Sequence, residues 1–153
     1  MKAVLNIAHR GASGHAPENT MAAFERCIEL GATAIETDVQ MTSDGSLVLI
    51  HDESLARTAG SPKLVKDVTL EELRRLDAGS WFDPAFRGER VPTLRELLEL
   101  VKPYSLLLNL ELKNGVVPYP GLEEAVVEEV RRFGMSDRVI LSSFTHYSLV
   151  KCK

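Results

Sequence analysis

The sequence predicts an α/β fold, a parallel sheet assembled from βαβ units. Three observations support it. A strand, loop, helix, strand order occurs twice, and the segments between these strands have the length of a helical crossover rather than of a tight turn. Between the two repeats lies a hairpin, which breaks the alternation and sets where the candidate chemistry gathers.

Ala3 to Ala8 is a short, almost wholly apolar run that reads as a buried strand, and it leads into the small-residue loop His9-Arg10-Gly11-Ala12-Ser13-Gly14. Asn19 or Thr20 is placed to cap a helix in which Met21, Phe24 and Ile28 recur at helical spacing, and Gly31 stops it. Ala34 to Thr42 is the second strand. Leu47 to His51 is strand-like too, but Ser43-Asp44-Gly45-Ser46 is far too short for a parallel crossover. The two runs therefore form an antiparallel hairpin around Asp44-Gly45, which folds His51 back opposite Glu36 to Asp38. Two short helices with capping boxes follow, Thr69 to Glu72 and Thr93 to Glu96, the first stapled by Val68 against Leu73. Residues from about 43 to 91 read as an insertion after the second strand, packed in part by Trp81 and Phe82. The alternation resumes with a strand from Ser105 to Lys113, a helix marked by Leu122, Val126, Val130 and Phe133, and a strand from Val139 to Ser143. In that helix Glu123, Glu124, Glu128 and Glu129 precede Arg131 and Arg132, in accord with the helix dipole, and read as a solvated face. Crossovers of this kind are right-handed.

Composition bounds the function. With 153 residues, 44% hydrophobic and 26% charged, the chain has the make-up of one globular domain. A formal net charge of -4 with scattered Lys and Arg argues against a nucleic-acid partner. No apolar run approaches the roughly 18 residues of a membrane span, and Met1 to Ala8 is too short for a signal-peptide core, so a cytoplasmic location is expected. Cys27 and Cys152 lack any paired spacing. They support neither a disulfide framework nor a zinc site, and Cys27 reads as a small core residue.

Side chains two apart on a strand share a face, so Glu36 and Asp38 project together while Ile35, Thr37 and Val39 project the other way. On the later strand Leu106, Leu108, Leu110 and Leu112 fill one face, which leaves Asn109, Glu111 and Lys113 on the other. Apolar residues face helices and polar ones the interior side. Isolated carboxylates there cost roughly several kcal/mol each unless paired or bound to a cation. Glu36, Asp38 and Glu111 therefore suggest a metal. All-oxygen ligation favours a hard divalent cation, Mg²⁺ or Ca²⁺, and imidazole from a nearby His is also compatible. The competing arrangement is an internal salt-bridge network with Lys113 and Arg10, but two cations do not neutralise three acids. His9 ends the first strand and His51 ends the hairpin, both beside the carboxylates, and the pair fits general acid and general base. His15 and His146 lack such company and read as structural. The loop from Gly11 to Gly14, before a helix and beside Arg10, is a candidate phosphate cradle.

Taken together, His9-Arg10-Gly11, Pro17-Glu18-Asn19-Thr20, Glu36-Thr37-Asp38, His51-Asp52 and Glu111-Leu112-Lys113 resemble the signature of the glycerophosphodiester phosphodiesterases. The likeness extends to Asp77-Ala78-Gly79, Pro92-Thr93-Leu94 and Ser142-Ser143-Phe144, and so covers nearly the whole chain. It implies a (β/α) barrel of TIM type, a divalent cation held at Glu36, Asp38 and Glu111, and His9 and His51 as the acid-base pair. Arg10 and Lys113 would contact phosphate. The implied substrates are small glycerophosphodiesters such as glycerophosphocholine, cleaved to glycerol 3-phosphate and an alcohol.

Four barrel strands are visible, about the first four βα units, whereas the full fold has eight and typically about 250 residues. Residues 1 to 153 are therefore expected to be a C-terminally truncated domain, weakly stable, self-associating and nearly inactive by itself. The alternatives to glycerophosphodiester hydrolysis are a related barrel phosphodiesterase acting on intact phospholipids and a fragment that binds metal or a partner without turnover.

Overall fold

The structure is a computed structural model, and it describes residues 4–153. One sheet carries the architecture. Its strands are β1 (Ile7–His9), β2 (Ala34–Met41), β3 (Leu47–Leu49), β4 (Leu107–Leu112) and β5 (Val139–Ser142). The main path is β1-β2-β4-β5, all parallel, and β3 pairs antiparallel with β2. The helices are α1 (Met21–Glu29), α2 (Ala56–Ala59), α3 (Leu70–Leu73), α4 (Leu94–Val101), α5 (Leu122–Arg132) and α6 (His146–Lys151). The expected parallel βαβ layout and the hairpin are both present.

Alternation on β4 decides which side is core. Leu108, Leu110 and Leu112 are fully buried, each burial worth roughly 1.5–3 kcal/mol, and they pack with Ile35 and Val39 of β2 against α1, α4 and α5. Phe24, Leu97, Leu98 and Val126 supply the helix side of this core, and Cys27 lies in it as expected. Thr20 caps α1 by accepting a hydrogen bond from the Ala23 N–H, and Gly31 ends it at φ 72°. The two capping boxes are formed as read from the sequence. The helix begun by Thr93 is α4, whose Leu94, Leu97, Leu98 and Val101 are all buried, and it is the crossover that returns the chain parallel to β2. A second core, separate from the first, consists of Val48, Ile50, Leu55, Ala59, Val65, Val68, Leu73, Ala78 and Val91, and so lies wholly within residues 48–91.

Two expectations are corrected. The first strand is not the buried run Ala3 to Ala8; Ala3 lies outside the described residues, pairing begins at Ile7, and Val4 and Leu5 are 89% and 51% exposed. The cause is register: Ile7 pairs with Ala34, where β2 begins, so residues 4–6 lie opposite the turn that precedes β2 and not opposite a strand. β4 takes one edge of β2 along 34–39, and β1 and β3 divide the other, β1 taking 34–36 and β3 taking 39–41. The second correction concerns Glu123, which is not on the solvated face of its helix but 1% exposed. Asn114 Nδ2 donates to it at 2.8 Å and Lys151 Nζ lies 3.5 Å away, partners that compensate for its burial in the first turn of α5.

Candidate active site

The shared edge of β2 focuses the chemistry. β1 runs toward the level of Glu36, with which His9 is in register, while β3 runs the opposite way and delivers the Ile50 N–H to the Asp38 carbonyl. His9 and His51 thus approach Glu36 and Asp38 from opposite directions along one strand edge. On the other edge, Glu111 of β4 is in register with Asp38 and Asn109 with Glu36. Residues in register across a sheet face the same side, so all three acids share one face. Carboxylate oxygens of Glu36, Asp38 and Glu111 lie within 4.8 Å of one another.

Asp38 is 1% exposed and accepts a hydrogen bond from Asn19 Nδ2 at 2.9 Å, with Arg10 Nε at 3.6 Å and Lys113 Nζ at 3.8 Å. Glu36 accepts the Arg10 backbone N–H at 3.0 Å, and His9 Nε2 stands 3.9 Å from it. Glu111 pairs with Lys113 at 3.1 Å. Burial pushes the Glu36 carboxyl above its usual range, helped by the neighbouring Asp38 and Glu111 charges and opposed by the Arg10 N–H and His9. Three carboxylates facing Arg10 and Lys113 leave one negative charge uncompensated. A hard cation fits this donor set, which is all oxygen, convergent and largely buried. Asn109 Oδ1, on the same side, is a further oxygen that fits it, being buried without a hydrogen-bond partner in the protein, whereas the likewise unpartnered Arg10 Nε is a donor and suits an anion.

Arg10 adopts φ 55°, a left-handed conformation that an L side chain seldom takes. That bend turns its N–H onto Glu36 while its guanidinium reaches Asp38 and, at 3.0 Å, Glu18. Half of the candidate phosphate cradle, Gly11 to Gly14, is already committed to the protein's own carbonyls. The N–H groups of Ala12, Ser13, His15 and Ala16 donate to carbonyls of Ala23, Gly11 and Ala12, so the loop spends them internally. Gly11, at φ 79°, is instead required by packing, because a Cβ there would lie 2.8 Å from the Ala23 Cβ.

His51 Nδ1 is 2.7 Å from Asp52 Oδ1, and its ring is half-buried, whereas the His9 side chain is 70% exposed. The His51 carbonyl accepts from Gln40 Nε2 at 2.9 Å, and Gln40 in turn accepts from the buried Tyr119 hydroxyl at 2.7 Å. Burial raises the Tyr119 hydroxyl well above its usual value, which keeps it a donor. His15 and His146 are exposed and stand apart from the acid cluster. Sequence reasoning gave Asn19 to helix capping. It is buried at φ 54°, donates to Asp38 and accepts the Thr37 hydroxyl at 2.7 Å. The available signal was residue type, since Asn tolerates the left-handed region better than most.

The family model described as the glycerophosphoryl diester phosphodiesterase family matches residues 9–153. A glycerophosphodiester phosphodiesterase of Caldanaerobacter subterraneus subsp. tengcongensis is 54% identical over 145 residues, which cover 95% of this chain and 60% of the relative. Among solved structures, the crystal structure of glycerophosphodiester phosphodiesterase from Agrobacterium tumefaciens superposes with a TM-score of 0.89 at 36% identity, covering 98% of this chain and 62% of that one. A phosphodiesterase of Oleispira antarctica, in complex with the product sn-glycerol-3-phosphate, superposes with a TM-score of 0.88 at 41% identity, covering 98% and 61%. The chain thus spans about 60% of the length of these relatives, and its four parallel strands form part of a TIM-type barrel. No helix among the described residues is long and apolar enough to cross a membrane. The motifs at both strand ends, the fold and the extent of the match lead to one conclusion: this chain belongs to the glycerophosphoryl diester phosphodiesterase family.

Proposed function

We propose that this chain carries the metal and histidine machinery of a cytoplasmic phosphodiesterase that hydrolyses small glycerophosphodiesters, glycerophosphocholine among them, to glycerol 3-phosphate and an alcohol. The observation that supports this most is the convergence of Glu36, Asp38 and Glu111 within 4.8 Å, with one negative charge left uncompensated by Arg10 and Lys113. Glu36, Asp38 and Glu111 hold a divalent cation, Mg²⁺ or Ca²⁺, which supplies Lewis-acid stabilisation of charge on a phosphoryl oxygen. Arg10 and Lys113 flank the cluster and bind the phosphate. The Asp52 carboxylate can accept only from a protonated Nδ1, which leaves His51 Nε2 as the base for the attacking hydroxyl or water. His9 takes the complementary role and protonates the leaving alkoxide.

The test is release of glycerol 3-phosphate from glycerophosphocholine by a full-length barrel carrying these residues, run beside a lysophospholipid and with or without chelator. Chelator-sensitive hydrolysis of glycerophosphocholine is expected. Turnover of the lysophospholipid alone, or turnover indifferent to chelator, would refute the proposal.

A further inference from the structure

A run of ion pairs joins the two ends of this machinery. Arg57, on α2, donates from Nε and Nη2 to the two Asp52 oxygens at 2.7 and 3.1 Å. The same guanidinium donates from Nη1 and Nη2 to the two Glu18 oxygens at 2.9 and 2.8 Å. Asp52 holds His51 Nδ1, and Glu18 accepts from Arg10 Nη1 at 3.0 Å. Arg57 is steadied from a third direction by Trp81, whose ring centroid lies 5.9 Å from its Cζ. We propose that Arg57 is a positioning residue, a planar clamp on Asp52 and Glu18 that fixes the His51 imidazole and the Arg10 guanidinium relative to one another.

The inference rests on reading His51 and Arg10 as parts of the machinery, and it adds what sets their mutual geometry. His51 lies on the hairpin side of the site and Arg10 on the loop after β1, segments that share no strand pairing with each other. Without a link, proton transfer and phosphate binding could drift apart, and a misplacement of about 1 Å is enough to cost up to about 10²-fold in rate. A guanidinium suits the task, because its fixed fork engages two carboxylates at once, whereas an ammonium is a point charge with no preferred plane. The charges are consistent. Hydrogen bonding to Arg57 draws the Asp52 carboxyl down to about 2 and lowers that of Glu18, so both are acceptors throughout the neutral range.

The clamp makes a prediction that needs no turnover. A neutral imidazole whose Nδ1 faces a fixed carboxylate is held as the Nδ1–H tautomer, whereas a released ring exchanges between the two forms. Side-chain ¹⁵N spectra of the full chain at about pH 8.5, where an ordinary imidazole is neutral, read this directly, with His51 assigned by its loss in His51→Gln. In the wild type His51 is expected to be predominantly Nδ1–H. In both Arg57→Gln and Arg57→Lys that excess should be lost, and the Kd for glycerol 3-phosphate, titrated with Mg²⁺ present, should rise on the order of 10-fold. Because the Arg57 side chain is 43% exposed, the melting temperature should barely move, separating a positioning role from a structural one. An Arg57→Lys chain that keeps both the wild-type tautomer and the wild-type Kd would overturn the proposal. The hydrolysis assay above decides the reading of the machinery, and the tautomer measurement decides the clamp.

Discussion

Asn19→Ala removes a side chain that joins Asp38 to Thr37 in a buried place, and its cost follows from the geometry. The bond from Nδ2 to the Asp38 carboxylate, 2.9 Å long and charge-assisted, is worth about 1.5–3 kcal/mol. The Thr37 hydroxyl, 2.7 Å from Asn19 Oδ1, would be left buried without its acceptor, a loss of about 1–3 kcal/mol. At φ 54° Ala is also less tolerant than Asn, by about 1 kcal/mol. One side chain makes both bonds, so the losses overlap, and the net destabilisation expected is about 3–4 kcal/mol. Asn19→Gly separates the contributions, losing the same bonds but not the backbone tolerance, and should be about 1 kcal/mol less damaging than Ala. Urea denaturation at constant m measures both. Because Asn19 also orients Asp38, Mg²⁺ affinity should fall by about 10- to 100-fold, read by calorimetry. An Ala variant within about 1 kcal/mol of wild type, with unchanged Mg²⁺ affinity, would refute the reasoning.

Glu36→Gln, Asp38→Asn and Glu111→Gln should each weaken Mg²⁺ or Ca²⁺ binding strongly in titration calorimetry, and unchanged affinity in any one removes that residue from the site. In a full-length homologous barrel, His9→Ala and His51→Ala should each lower kcat for glycerophosphocholine by about 10²-fold or more, and near-normal turnover assigns that histidine to structure. Asp52 has a carboxyl depressed from 3.8 to about 2, chiefly by the Arg57 hydrogen bond, so its stabilisation is present above pH 3.8 and lost as pH falls through about 2. Solvent screening limits it to about 1 kcal/mol, and denaturation of wild type against Asp52→Asn across pH 5 to 2 should show the difference closing. The 153-residue chain by itself should sediment as dimers or larger species, since β1 and β5 each present an edge unpaired among the described residues and Ile140, Phe144, Tyr147 and Val150 are exposed; a monomer counts against this.

Much of the fold and the centre of the site were legible because they depend on periods and short spacings. The alternation Leu106 to Leu112 identified the core side of β4, and with it the interior side that carries Glu111. The four residues between the runs Ala34 to Thr42 and Leu47 to His51 forced an antiparallel hairpin, and that alone brought His51 toward Asp38. What escaped has equally physical causes. The late start of β1 depends on β2 beginning only at Ala34, its partner at Ile7, which no local pattern of residues 3 to 8 encodes. The burial of Glu123 depends on Asn114 and Lys151, which lie in other elements. Arg57, in an unremarkable stretch of charged and small residues, gave no sign that it meets Glu18 across 39 positions.

The division of the β2 edge explains how the hairpin reaches the proposed site rather than standing apart from it. A parallel β1 covering the whole edge would leave the Val39 to Met41 stretch paired and His51 elsewhere. Because β1 stops at the level of Glu36, the edge beyond is free for β3, and the antiparallel direction of β3 carries the chain back down toward Asp38. The same geometry leaves His51 at the exit of a hairpin, where its backbone would be mobile. Two independent ties oppose that mobility. Gln40, itself on β2 and fixed by Tyr119, holds the carbonyls of Ile50 and His51, while Asp52 and Arg57 hold the ring. Two ties differing in chemistry make separable demands: loss of the Gln40 tie should displace the backbone and ring together, whereas loss of the Arg57 tie should free the ring over an unmoved backbone. His51 is thus held at its carbonyl by β2 and at its ring by Asp52, which leaves Nε2 as the ring nitrogen with no partner among the described residues.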